Sequence, residues 1–530
     1  MSRLKTVVLL FCLVLTTAAA ATAQVTGSTT LTVSRAVIYV NKDSSCPGSG
    51  TIGSPYCSIQ NAFNVAAAGD DIRIQKASSP YDENAIAQSS GSSGSPIIVE
   101  SDDASNQAII RYTGNGAVAG AMEFHDRNYW TAQNLTFDGK GVFTSTMAVW
   151  IGLSNSGRWS SGPALTGFRV LNNTFRNWGG TEAQESSLST ATQSAIGTLF
   201  ISGGYGAPVG SFTIDGTVVQ DNLFDTDRMI AISMTSTTHS IVQNNEIKNT
   251  TCGRQTSGGP GLAVVIDGMH LITGTVGFVT GDLFKGNLIH DHQLPGSCGL
   301  APTGDGYWEA DGIHGDVYPV GGTIDSNKIW NIDPANVHNG TSTGLHIEAG
   351  NFGWTVKNNV IYNIGYAGIL NNQQTGSGPV NQYYNNTIYS NGSGAGNQIG
   401  IELRWGFAVV KNNIIGVTDL PIYVRSQAIT AGGITIDYND YWNQGTGANV
   451  ASWNEGAITN FATWKTNCGC DSHSINADPQ FVSSSTPDFH LQATSPAINA
   501  GITLTQVTTD FDGIARPQGS AYDMGAYDWH

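Results

Sequence analysis

Charge is scarce in this sequence. Asp, Glu, Lys and Arg make up 12% of its 530 residues, about half the usual share. A globular protein coated with charged surface helices does not have this composition. Positive charge is scarcer still: 23 Lys and Arg stand against 40 Asp and Glu, a formal net charge of −17. Nucleic acid and anionic membrane surfaces both need clustered basic residues, so neither is expected as a partner. Beyond the first residues, no stretch approaches the ~18 consecutive apolar residues of a membrane helix. Paired CxxC motifs, EF-hand loops and RTX nonapeptides are also missing, and with them the usual signatures of zinc and calcium sites.

The one long apolar run is at the start. Arg3 and Lys5 precede the nine residues Val7 to Leu15, and Ala21-Thr22-Ala23 then offers a small-residue cleavage pattern before Gln24. This predicts a secretory signal peptide over residues 1–23, a linker over 24–37, and an exported, soluble chain. Of the seven cysteines, Cys12 would leave with the signal, and six would remain in an oxidising compartment. An even number there suggests disulfides. Cys46–Cys57 and Cys252–Cys298 are the expected pairings, although spacing alone does not fix connectivity. A monomer is expected.

What the sequence has in abundance is glycine (65 residues) and a recurring short pattern. A polar residue, usually Asn, is followed three positions later by Ile or Phe, often with a second Asn between. It reads Asn134-Leu-Thr-Phe137, Asn172-Asn-Thr-Phe175, Asp221-Asn-Leu-Phe224, Asn244-Asn-Glu-Ile247, Gly286-Asn-Leu-Ile289, Ser326-Asn-Lys-Ile329, Asn358-Asn-Val-Ile361, Asn385-Asn-Thr-Ile388 and Asn412-Asn-Ile-Ile415. Intervals run from 23 to 49 residues, as expected for a solenoid coil of three short strands with loops of unequal length. Asn tolerates the left-handed backbone of a sharp turn, and stacked Asn side chains hydrogen-bond from coil to coil. The expected fold is therefore all-β: a right-handed parallel β-helix over residues 38–440. An N-terminal capping helix is expected near Ser58 to Ala68, and a less regular cap module over 441–530.

Two segments support that reading by resemblance. Gly53-Ser-Pro-Tyr-Cys-Ser-Ile-Gln-Asn-Ala62 through Gly69-Asp-Asp-Ile72 resembles the start of pectate-lyase-like right-handed β-helix proteins. Ala477-Asp-Pro-Gln-Phe481, Ser495-Pro-Ala-Ile-Asn-Ala-Gly501, Arg516-Pro517 and Asp523-Met-Gly-Ala-Tyr527 are similar to the C-terminal module common in secreted bacterial β-helix proteins. The resemblance implies the fold and, more loosely, action on polysaccharides, because the same fold hosts several chemistries.

Chemistry on such a fold sits on one face of stacked strands. Aligning Gly312-Ile-His-Gly-Asp316, Gly344-Leu-His-Ile-Glu348, Gly368-Ile-Leu-Asn-Asn372 and Gly400-Ile-Glu-Leu-Arg404 places Ile313, Leu345, Ile369 and Ile401 inside. His314 and Asp316, His346 and Glu348, Leu370 and Asn372, and Glu402 and Arg404 then face outwards. Adjacent rungs lie ~4.8 Å apart, so Asp316 and Glu348 should approach the ~5 Å spacing of a retaining glycosidase pair, one with a raised pKa acting as acid. His314, His346 and Arg404 complete the expected catalytic set. Trp308, Trp405, Asn372, Glu402 and Asp267 are the expected substrate contacts, Asp267 lying one rung before His314. Asp305, Glu309 and Asp311 are candidate ligands for Ca²⁺.

Two enzymatic readings follow. Lyase β-elimination on a uronic-acid polymer needs a base and a cation that neutralises the substrate carboxylate, yet basic residues are few. Hydrolysis needs a carboxylate pair, which the aligned rungs supply. A non-catalytic glycan-binding or adhesion protein is the alternative outside enzymology.

Overall fold

The computed structural model describes residues 35–112, 114, 119–139, 146–153, 163–178, 197–204, 213–225, 230–250, 264–273, 278–292, 308–316, 318–335, 341–348, 350–373, 378–389, 398–417, 419–444 and 449–530. The expected signal peptide, most of the linker, Cys252, Cys298 and Asp305 fall outside them. Three long sheets of thirteen, thirteen and twelve strands run the length of residues 35–453, and each coil contributes one strand to each sheet. Apart from Gly456–Ile458, which ends the second sheet antiparallel to Ala451–Trp453, the strands pair in parallel with the same sheet's strand one coil on, for example Leu283–Lys285 with Thr323–Asp325 and Lys328–Ile332 with Val360–Ile364. This is a right-handed parallel β-helix.

The recurring pattern explains each corner. Its first position takes a left-handed backbone in every coil, with φ of 54° at Asn134 and Asn172, 55° at Asp221 and Asn244, 63° at Gly286 and 57° at Asn412. Its second position is a continuous interior ladder. Asn173, Asn222, Asn245, Asn287, Asn327, Asn359, Asn386, Asn413 and Asn439 are all at most 2% exposed. In each up to Asn413, the backbone N–H and the side-chain amide donate to Oδ1 of the next Asn; for Asn287 onto Asn327 the distances are 3.0 and 2.9 Å, and at the end Asn439 donates its N–H to the Ser474 hydroxyl. The amide also reaches a carbonyl of the preceding coil, as Asn327 does with Phe284 at 3.0 Å. The two properties expected of Asn are thus divided between neighbouring positions. The fourth position stacks in the core: Phe137, Phe175 and Phe224 lie ring on ring at 5.0 and 4.4 Å, and Ile247 to Ile415 continue the column.

The N-terminal end is closed as expected. The helix Ile59–Val65 is capped by Ser58 Oγ, which accepts from the Asn61 N–H, and its buried face of Ile59, Ala62 and Phe63 enters the first coil. Phe63 packs on Trp130 at 4.9 Å, and the expected Cys46–Cys57 disulfide ties the preceding loop. A second disulfide joins Cys468 to Cys470, a pairing that spacing did not single out. At the other end, parallel pairing continues to Ala451–Trp453, past the boundary expected at 441. The remaining chain then folds back along the third sheet. Phe481, Phe489, Leu491, Met524 and Tyr527 cluster with Val360, Tyr362, Tyr389 and Ile414. The side-chain amides of Asn358, Asn385 and Asn412 donate to its carbonyls at Thr509, Asp523 and Ile502, at 3.0, 2.9 and 2.8 Å. Among the described residues, no helix is long and apolar enough to cross a membrane.

Candidate functional site

The aligned rungs are neighbours in the second sheet, in the expected register. Ile313 pairs with Leu345, Leu345 with Ile369 and Ile369 with Ile401, all in the core. On the outer side His314 pairs with His346, His346 with Leu370, Leu370 with Glu402, and Glu348 with Asn372. Before them, Asp267 pairs with Asp311, and it is His270 that pairs with His314.

A glycine column bends these strands. A Cβ on Gly312 would lie 2.6 Å from Ile329 Cγ2, on Gly344 2.5 Å from Ile361 Cγ2, and on Gly368 2.5 Å from Ile388 Cγ2. The glycine and the apolar residue after it both turn towards the core. Strict alternation therefore breaks, and residues 311 and 314 share the outer face. This is how Asp311 comes to touch the histidines. Its Oδ2 lies 3.2 Å from His346 Nδ1 and 3.7 Å from His314 Nδ1. Its Oδ1 accepts from the Thr343 N–H at 3.1 Å and the Thr343 hydroxyl at 2.5 Å. Its own backbone carbonyl faces His292 Nδ1 at 3.2 Å. Asp311, a candidate calcium ligand in the sequence, is fully buried and holds the histidine pair.

The imidazoles of His314 and His346 stack at 4.7 Å with 6° between planes, both outward from the core yet at most 2% exposed. The opposite edge of His314 reaches the groove, with Nε2 3.4 Å from Glu348 Oε2. Glu348 Oε1 accepts from the Asn372 amide at 3.2 Å. Ligand atoms of His314, Asp316 and Glu348 all lie within 4.8 Å of one another. Asp316 and Glu348 are half-buried and form the accessible end of the two rungs. Burial works against the charge of Glu348, but the hydrogen bond from His314 and the charges of His346 and His314 outweigh it, so its pKa lies below the ordinary value despite Asp316 nearby. Proximity alone had suggested that one of the two would be raised, whereas Glu348 is lowered.

Further along the face, Glu402 is not an open substrate contact. It is fully buried between Arg404 (Nε–Oε1 3.0 Å), Arg425 (Nε–Oε1 2.8 Å) and the Tyr366 hydroxyl, which donates at 2.7 Å. Burial raises its pKa, and Arg404, Tyr366 and Arg425 together bring it below the ordinary value. Arg404 is therefore occupied by Glu402, two rungs from His346. Trp405 is half-buried beside Asn371, whose amide donates to the Trp405 carbonyl at 2.9 Å. Trp308, Glu309 and Asp267 lie on strands of this sheet, with side chains outside the described residues. The sequence reading passed over His270 and the partnership of Asp311 with the histidines. The signal was present: Asp267-Gly-Met-His270, Asp311-Gly-Ile-His314 and Thr343-Gly-Leu-His346 repeat one short pattern on three rungs.

No protein-family model matches the sequence, and no curated protein matches it. Solved structures do. The complex of XylC with xylose aligns over 93% of this chain and 98% of its own, with a TM-score of 0.52 at 12% identity. Pectate lyase Pel9A aligns over 94% of this chain and 97% of its own, with a TM-score of 0.45 at 13% identity. The periplasmic alginate epimerase AlgG covers 83% and 82%, with a TM-score of 0.39 at 11% identity. At these identities the likeness is one of fold, the pectate-lyase-like parallel β-helix.

Proposed function

We propose that this chain is an exported polysaccharide-acting enzyme, and that it hydrolyses glycosidic bonds with Asp316 and Glu348. The observation that carries the reading is the pair itself: two half-buried carboxylates on adjacent rungs, with oxygens within 4.8 Å. That spacing suits a retaining mechanism. Glu348, fixed by Asn372 and His314, attacks the anomeric carbon as Asp316 gives its proton to the departing glycosidic oxygen. Asp316 then takes a proton from water, the water oxygen displaces Glu348, and the sugar leaves with its anomeric configuration kept. A neutral glycan fits best. Arg404 and Arg425 are both committed to Glu402, so the described face offers a uronate carboxylate negative charge rather than a partner. That XylC was solved with xylose, a neutral sugar, agrees with this choice.

The test is to incubate the purified chain with a panel of neutral and uronic polysaccharides, with and without a calcium-selective chelator. Reducing ends and the ultraviolet absorbance of unsaturated ends are followed together. Hydrolysis predicts reducing ends without absorbance, unaffected by chelation and lowered about 10²–10⁴-fold in Glu348→Gln. Unsaturated ends that vanish on chelation would establish calcium-assisted β-elimination instead. Glycan binding with silence in both channels would make the chain a binding protein.

A further inference from the structure

The geometry points to a binding site for a divalent transition metal of the zinc class at Asp311, His314 and His346. The site does not depend on the hydrolytic reading. Three observations converge on it. The first is spacing. A tetrahedral ion with bonds of about 2.0–2.1 Å holds neighbouring ligand atoms roughly 3.3 Å apart. Asp311 Oδ2 stands 3.2 Å from His346 Nδ1 and 3.7 Å from His314 Nδ1, and the three ligand atoms lie within 4.8 Å of one another. The second is orientation. The rings stack at 4.7 Å with 6° between planes, so both turn the same nitrogen edge towards one carboxylate oxygen. Main-chain pairing of His314 with His346 fixes that arrangement.

The third observation is the surrounding shell. Metal-bound imidazoles characteristically donate the other ring N–H to a carboxylate, which sets tautomer and ring angle. With Nδ1 on the metal, Nε2 of His314 faces Glu348 Oε2 at 3.4 Å. The free oxygen of the Asp311 carboxylate is likewise fixed, by the Thr343 N–H and hydroxyl. The donor set selects the ion. Two imidazole nitrogens and one carboxylate suit zinc and its first-row neighbours, whereas calcium takes six to eight oxygens. Three protein ligands leave one position of a tetrahedral ion to be filled by water.

The full chain is stripped by dialysis against a strong chelator, confirmed folded by circular dichroism, and titrated with Zn²⁺ by calorimetry. Co²⁺ loading is read separately by visible absorption. One equivalent of Zn²⁺, intense tetrahedral Co²⁺ bands, and binding weakened at least about 100-fold in His314→Gln and His346→Gln are expected. His473→Gln, an exposed histidine elsewhere, should bind as the unaltered chain does. Urea midpoints of the stripped proteins separate lost ligation from lost folding. Undiminished binding in His346→Gln, no stoichiometric uptake by the folded chain, or Ca²⁺ competing on equal terms would each overturn the assignment. None of these readouts depends on turnover, so they stand whatever the polysaccharide panel shows.

Discussion

Two columns of stacked polar side chains run along this β-helix, one inside and one outside. The inner Asn ladder repeats the same residue from Asn173 to Asn439 and satisfies each member with its neighbour. The outer column, followed by main-chain register, reads Ser233, His270, His314, His346, Leu370, Glu402 and Tyr423, changing residue type at four of its six steps. A column that only has to hold coils together can be monotonous, because every coil presents the same turn amides. A column whose members change, and whose buried histidines meet carboxylates on two edges, answers to something other than the coil. The difference between the columns is therefore a better guide to the site than the presence of stacked polar residues, which both share.

The sharpest way to break the comparison is to cut the inner ladder. Asn327→Leu removes the acceptor for the Asn287 N–H and side-chain amide and the donor to the Phe284 carbonyl. Buried groups left without partners cost about 1–3 kcal/mol each, so the loss should be at least about 3 kcal/mol in urea unfolding. Glu348→Gln, beside the outer column, should instead lower turnover about 10²–10⁴-fold while moving the unfolding midpoint little. An Asn327→Leu chain as stable as the original would mean that the ladder is decorative.

A smaller effect is expected where the two columns are coupled, at the glycine bend. In Gly344→Ala the new methyl would meet Ile361 Cγ2 at 2.5 Å and the Gly368 carbonyl oxygen at 2.7 Å. Overpacking of this kind costs about 1–3 kcal/mol. The strain falls two residues before His346, so activity should drop further than stability alone accounts for. Equal losses in both would show that the bend serves packing only.

Much of this was legible in the residues. The pattern at Asn358 to Ile361 and its repeats defined the coil, and a gapless alignment of four short strands matched the register of Ile313, Leu345, Ile369 and Ile401. Period-two alternation failed at the column of Gly312, Gly344 and Gly368. There two successive residues face inwards, and Asp311 becomes a partner of His314 and His346 rather than an exposed acid. Whether an outward residue is exposed was equally illegible. His314, His346, Leu370 and Glu402 all point away from the core and are nevertheless buried. The fold-back of the C-terminal module escaped the sequence because Asn358 and Thr509 meet across 151 residues, and no local pattern encodes so distant a contact.

The last comparison concerns an acid that belongs to neither column. Asp440 directly follows the ladder's last Asn and is fully buried beneath the C-terminal module. Its Oδ1 accepts from the Ala477 N–H at 3.1 Å, while Oδ2 has no hydrogen-bond partner. Burial pushes its pKa up to about 8; the Ala477 N–H opposes the rise and the charge of Asp478 adds to it. A carboxyl raised in the fold contributes fully when protonated in both states, below the unfolded value near 4. As pH rises past that value the unfolded chain ionises first, so the contribution falls until about pH 8 and is then constant. Asp440→Asn does not titrate. Its unfolding midpoint should match the parent near pH 4 and exceed it by at least about 1 kcal/mol at pH 8 and above. A difference independent of pH would place the effect in packing. A parent that loses stability relative to the variant only as pH falls below about 4 would mean that Asp440 is ionised in the fold, held by the Ala477 amide as the ladder asparagines are held by theirs.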